Sequence, residues 1–109
     1  MIALGGWTDS SSDKYSRLVN DAAARQTFIT NVVSFIEDHN FDGLDLDWEY
    51  PKCWAADCAR GPKSDKAAFA SWVRELKVAF RPKGLLLSAA VSPNKNVIDL
   101  GYHVPSIAR

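Results

Sequence analysis

Read for apolar and polar positions, the chain alternates short apolar runs with longer stretches that repeat at helical spacing. Residues 2–5, Ile-Ala-Leu-Gly, are a short apolar run closed by Gly5 and Gly6, which reads as a strand and its turn. Residues 8–14 are mostly Ser, Asp and Lys, the composition of a loop. At Asn20 and Asp21, both good N-cap types, the text changes. From there to about His39, the sets Phe28/Val32 and Ile29/Val33/Ile36 keep the helical period and predict a helix with one buried face. Residues 41–49 form a second strand, and residues 51–63, with two Pro and one Gly, a long loop. Ser64 or Asp65 is placed to cap the next helix. Its stripe of Phe69, Trp72, Val73, Leu76 and Phe80 runs down one face until Pro82-Lys83-Gly84 stops it. Residues 85–91 make a third strand, apolar as a parallel strand covered on both faces should be. The remainder reads as irregular.

The predicted order is β-α-β-α-β, the alternation that implies parallel strands joined by crossover helices. Three such strands cannot close a barrel and leave two open edges, so the expected fold class is α/β, as part of a larger fold. The opening MIALGG, which starts a strand with no lead-in and lacks the basic and long apolar regions of a signal peptide, gives the same expectation.

Composition narrows the picture by exclusion. The chain has 109 residues, room for one small domain, with 47% hydrophobic and 24% charged residues. Thirteen basic residues balance thirteen acidic ones, so no net charge draws it to nucleic acid or an anionic membrane. No apolar run approaches the roughly 20 residues that span a bilayer. Cys53 and Cys58 leave two readings open, free thiols or a short local disulfide. Without His or further Cys nearby they make a poor metal site, and no metal or cofactor is expected.

The second strand carries the chemistry. In FDGLDLDWEYP, residues 41–51, four acids stand among Leu and Trp. Side chains alternate along a strand that rises about 3.3 Å per residue. Asp45, Asp47 and Glu49 therefore share one face, roughly 6 to 7 Å between neighbours, and Leu44, Leu46 and Trp48 take the other. Asp42 has the opposite parity from the three acids and sits at the strand's start. Alternating acids ordinarily mean a solvated face. In a parallel sheet, however, three neighbouring carboxylates repel, and some must hold or share protons, which is typical of an active site. Glu49 comes last, toward the C-terminal strand end where barrels of this class do their chemistry.

These residues also carry a resemblance. Asp42-Gly43-Leu44-Asp45-Leu46-Asp47-Trp48-Glu49 resembles the DxxDxDxE signature of family 18 glycoside hydrolases, the chitinase family. Ala3-Leu4-Gly5-Gly6-Trp7 resembles that family's SxGG motif, and Ser88-Ala89-Ala90-Val91 its fifth strand. The flanking wording is most similar to arthropod, particularly insect, chitinases. The resemblance implies a partial (β/α)8 TIM barrel, about strands three to five, with residues 1–109 a fragment of the catalytic domain. It implies hydrolysis of β-1,4-linked N-acetylglucosamine polymers by a substrate-assisted retaining mechanism, an exception to the two-carboxylate scheme.

By position, the resemblance makes Glu49 the proton donor and later base, Asp47 the holder of the acetamido group, and Asp45 the group that shares its proton. Gly5, Gly6, Trp7 and Thr8 match the cleft lining, Tyr50 a further substrate contact, and Asp42 the structural first acid. Trp54 stands between bordering the cleft and plain packing, and Trp48 and Trp72 are assigned to packing. Chitin or a chito-oligosaccharide would be the partner and the extracellular space the location. Ala3 departs from the pattern, which has Ser there. Because the family's later strand motifs are not in these 109 residues, the segment alone is expected to be inactive. Two alternatives stand beside this reading: a chitinase-like lectin that keeps the barrel but loses the acid, disfavoured by the intact Glu49, and an endo-β-N-acetylglucosaminidase, which shares the motif and is disfavoured by the insect-like flanks.

Overall fold

The structure, a computed structural model, describes residues 1–108. Its elements are β1 (Ile2–Gly5), α1 (Lys14–Val19), α2 (Ala22–Asp38), β2 (Gly43–Asp47), α3 (Ser64–Phe80), β3 (Leu86–Ala89), α4 (Lys95–Gly101) and α5 (Val104–Ile107). Short 3₁₀ turns occupy Asp9–Ser11 and Arg81–Lys83. The strands form one sheet in the order β1-β2-β3, and both pairings are parallel. The α/β alternation predicted above is therefore present, with β2 in the middle.

Helix α2 begins where Asp21 accepts hydrogen bonds from the backbone N–H groups of Ala23 (2.9 Å) and Ala24 (3.2 Å), satisfying donors that a first turn leaves unpaired. In α3 the whole predicted stripe is buried. It packs onto the apolar face of β2, where Leu44, Leu46 and Trp48 are 2%, 1% and 2% exposed. Aromatic edges knit this layer together. Phe69 meets Trp48 at 6.0 Å and Tyr102 at 5.6 Å between ring centres, and Phe28 of α2 meets Trp72 at 5.3 Å. Offset and edge-on pairs of this kind add to the gain from burial. An Arg25–Glu75 ion pair (3.0 Å) joins α2 to α3 at the rim.

Four expectations need correction. The second strand is shorter than 41–49, because its ladder ends at Asp47 and Glu49 lies just beyond. Lys14–Val19 is helical where the sequence suggested no element, and α4 and α5 occupy a stretch read as irregular. Each of these helices is too short to show a period, and α4 is started by the Asn94 side chain accepting from Asn96 (2.9 Å) and Val97 (3.5 Å). Neither Ser64 nor Asp65 caps α3; Lys63 stands at the cap without a side-chain bond, and Asp65 turns inward. Finally, β3 is an edge strand here, with Leu86 58% exposed, so its apolar character is uncovered in this structure. None of the described helices is long and apolar enough to cross a membrane.

Candidate active site

The C-terminal ends of β1, β2 and β3 converge on the acid face of β2. Register places Asp45 between Ala3 on β1 and Ser88 on β3, and Asp47 beside Gly5. The departure at Ala3 is thus matched across the sheet: the Ser88 hydroxyl donates to Asp45 Oδ1 at 2.8 Å. A hydroxyl reaches Asp45 from the neighbour on the other side.

Asp47 is displaced from the ordinary carboxylate range. Burial pushes its carboxyl above the ordinary range, and the adjacent Asp45 and Glu49 push it further the same way, against a weaker pull from the Ala90 backbone N–H. Its Oδ1 is buried without a hydrogen-bond partner. An orphaned buried acceptor is costly unless something donates to it. The arrangement therefore favours a proton held between Asp45 and Asp47, or a donor brought by a ligand.

The turn after β1 approaches this row closely. Gly5 has φ +114°, and a Cβ there would lie 2.6 Å from the Asp47 carbonyl oxygen, so only glycine fits. The Gly6 N–H then donates to that same oxygen at 2.8 Å. Beyond it Trp7 stands 52% exposed, its ring edge-on to Tyr50 at 6.5 Å. Thr8 is exposed alongside. The pair makes an aromatic rim at the Glu49 end of the row, a surface suited to the apolar face of a sugar ring. The Tyr50 hydroxyl is itself held above its ordinary range, by burial first and then by the Glu49 carboxylate.

Asp42 sits exposed at the start of β2, where its backbone carbonyl accepts from the Leu86 N–H at 2.9 Å. Its place is with strand pairing, apart from the acid row. Trp54 is resolved toward packing: it is half-buried, Arg60 lies over its ring at 5.7 Å, and its Nε1–H donates to Asp65 Oδ2 at 3.0 Å. Trp48 and Trp72 are core residues. The peptide Glu49–Tyr50 is cis. Cys53 and Cys58 form a disulfide within the loop that follows. Among the described residues no group of three His, Cys, Asp or Glu is arranged to hold a metal ion.

Two buried polar residues have roles that the sequence does not show. Asp65, wholly buried, accepts from Ser16 Oγ (2.6 Å), Asn20 Nδ2 (3.0 Å), the Lys52 N–H (2.9 Å) and Trp54 Nε1. It ties α1, α3 and the loop after Glu49 to one carboxylate. Ser10, also wholly buried, bonds to the backbone at Gly6 and Glu49. Nothing in the run Ser10-Ser11-Ser12 distinguishes the buried member, and the partners of Asp65 lie up to 49 residues away.

Comparison with known proteins agrees with the motif. The model of glycosyl hydrolases family 18 matches residues 1–109. The chain belongs to glycoside hydrolase family 18. Among relatives of this family, "Probable chitinase 10" of Drosophila melanogaster is 61% identical over 107 residues, 98% of this chain and 5% of that protein. A mutant of catalytic domain 2 of the Ostrinia furnacalis Group II chitinase, solved in complex with (NAG)5, matches 99% of the chain and 28% of that structure. It is 56% identical, with a TM-score of 0.98. Human YKL-39, described as a pseudo-chitinase with retained chitooligosaccharide binding, matches 98% of the chain and 28% of its own. It is 30% identical, with a TM-score of 0.80. The chain thus spans a small part of each family 18 relative.

Proposed function

We propose that this segment is the acid-bearing part of a secreted chitinase, forming about strands three to five of a (β/α)8 catalytic barrel. The observation that carries the reading is the acid row itself: Asp45, Asp47 and Glu49 on one face of β2, with Asp47 raised and Oδ1 left without a donor. The likeness to a chitinase domain solved with (NAG)5 supports the substrate class, and a disulfide suits an oxidising compartment.

In this reading Glu49, at the rim beside Tyr50, gives its proton to the glycosidic oxygen as the bond to the anomeric carbon breaks. The substrate's own acetamido oxygen closes onto that carbon, giving an oxazolinium ion. Asp47 accepts a hydrogen bond from the acetamido N–H through the oxygen that has no partner in the protein, and its charge balances the cation. The proton that Asp47 would otherwise keep passes to Asp45, whose other oxygen is steadied by Ser88. Glu49, now a carboxylate, takes a proton from water, and the hydroxyl opens the ring from the side the leaving group left. Configuration is retained without an enzyme nucleophile. Gly5 and Gly6 bring the chain close to the row, Trp7, Thr8 and Tyr50 border the sugar, and Asp42 holds the foot of the strand.

The test is turnover of N-acetylchitotetraose by the full-length protein, with the fresh anomer read by proton NMR. The β-anomer appearing first is the expected result. The α-anomer first, or no hydrolysis with intact binding, would overturn the mechanism; the second outcome would favour a binding protein of the YKL-39 kind.

A further inference from the structure

The ladder between β1 and β2 ends at Gly5 and Asp47, yet the acid assigned to proton donation lies two residues further on. Past a ladder's end a backbone N–H has no strand carbonyl to meet, and the side chain attached to it loses its fixed origin. At Glu49 that vacancy is filled by a side chain. The Glu49 N–H donates to Ser10 Oγ at 2.8 Å, and the same hydroxyl donates to the Gly6 carbonyl at 2.6 Å, with the Asp47 carbonyl at 3.3 Å. The Ser10 backbone is held in turn by the carbonyls of Gly6 (3.0 Å) and Trp7 (3.2 Å), and the residue is wholly buried.

We propose that Ser10 is a positioning residue for the proton donor: its hydroxyl takes the place of the missing β1 carbonyl and fixes the Glu49 backbone, so that the carboxyl meets the glycosidic oxygen. This rests on the reading of Glu49 as the acid. The partners of the hydroxyl are all backbone groups and none is a reacting group, so it acts only through Glu49. A small displacement of a general acid costs rate in proportion to how much the leaving group needs its proton. A sugar alkoxide needs it strongly, whereas an aryl leaving group departs with little help.

The experiment compares kcat/KM of the full-length protein on N-acetylchitotetraose and on an aryl β-glycoside of N-acetylchitobiose. Both substrates are read on the same sample, so the ratio is independent of how much protein is folded. For Ser10→Ala the expected loss is about 30-fold on the tetrasaccharide and under about threefold on the aryl substrate. Ser10→Cys, nearly isosteric with a weaker acceptor, should show the same skew in smaller degree and carries the test if the alanine variant does not fold. Ser10→Thr, which restores the hydroxyl, should recover most of the loss. Equal losses on both substrates for Ser10→Ala and Ser10→Cys would overturn the proposal and leave Ser10 a structural hydroxyl. Glu49→Gln, run in parallel, separates the two claims: near-normal turnover by that variant refutes the reading of Glu49, whereas an inactive Glu49→Gln with an unskewed Ser10→Ala refutes only the role of Ser10.

Discussion

The two faces of β2 make a controlled comparison, because six consecutive residues, Leu44 to Glu49, alternate between them on one backbone. Leu44 and Leu46, joined by Trp48, are sealed under α3 and owe their energy to area removed from water. Asp45 and Asp47, joined by Glu49, stand half-buried at the sheet's open face, where Ser88 steadies one carboxyl and one oxygen of Asp47 has no partner. The first face is apolar apart from one buried donor without a partner, the Trp48 indole N–H. The second is incomplete without a proton or a ligand. Folding and chemistry are thus assigned to opposite sides of one strand, and a substitution on either side should report on one of them.

The largest effect is expected at Glu49. Glu49→Gln in the full-length protein should lower turnover of N-acetylchitotetraose by about a thousandfold or more while retaining binding by calorimetry, as loss of a general acid–base group does; residual activity near that of the parent would break the comparison at its acid end. Next comes the loop beyond the strand. Replacing both Cys53 and Cys58 by Ser opens a short loop, and the chain-entropy account gives a loss of about 2 kcal/mol, measurable by denaturant unfolding. An unchanged midpoint would show that Asp65, which holds the same loop at Lys52 and Trp54, suffices to order it. Smallest is Ser88→Ala, which removes an exposed hydrogen bond to Asp45. It should cost roughly threefold in kcat, about the worth of one modest hydrogen bond, with KM little changed; a rise in KM alone would place Ser88 in substrate binding.

Much of this layout was legible in the sequence for a physical reason. Strand parity sorts Asp45, Asp47 and Glu49 from Leu44, Leu46 and Trp48, and the α3 stripe is long enough to show its period. The disulfide could be posed but not decided, because two cysteines in a loop carry no period and no partner signal. The short helices α1 and α4 were missed because neither is long enough to repeat. Asp65 was misread as a cap because its position at the start of α3 fits that role locally, while its actual partners come from α1 and the loop after β2. Ser10 was invisible for the same reason: its importance lies in a backbone N–H 39 residues away. What pattern reads is local chemistry; what it misses is a polar side chain satisfied across the fold.

The most direct measurement pairs two neighbours, Asp47→Asn and Leu46→Ala, and reads kcat and stability for both in the full-length protein. Asp47 carries a raised pKa in the fold, so its stabilising share is present below the unfolded value and lost as pH rises through the folded one. Asparagine removes that loss, and Asp47→Asn should be more stable than the parent at pH 7, the gain vanishing below about pH 4. Its kcat should nonetheless fall about a hundredfold, with the acid limb of the pH profile displaced. Leu46→Ala should do the reverse, losing about 3 kcal/mol of stability while the folded molecules turn over at the parent rate. Both variants losing activity and stability together would contradict the division of β2 into a folding face and a chemical one.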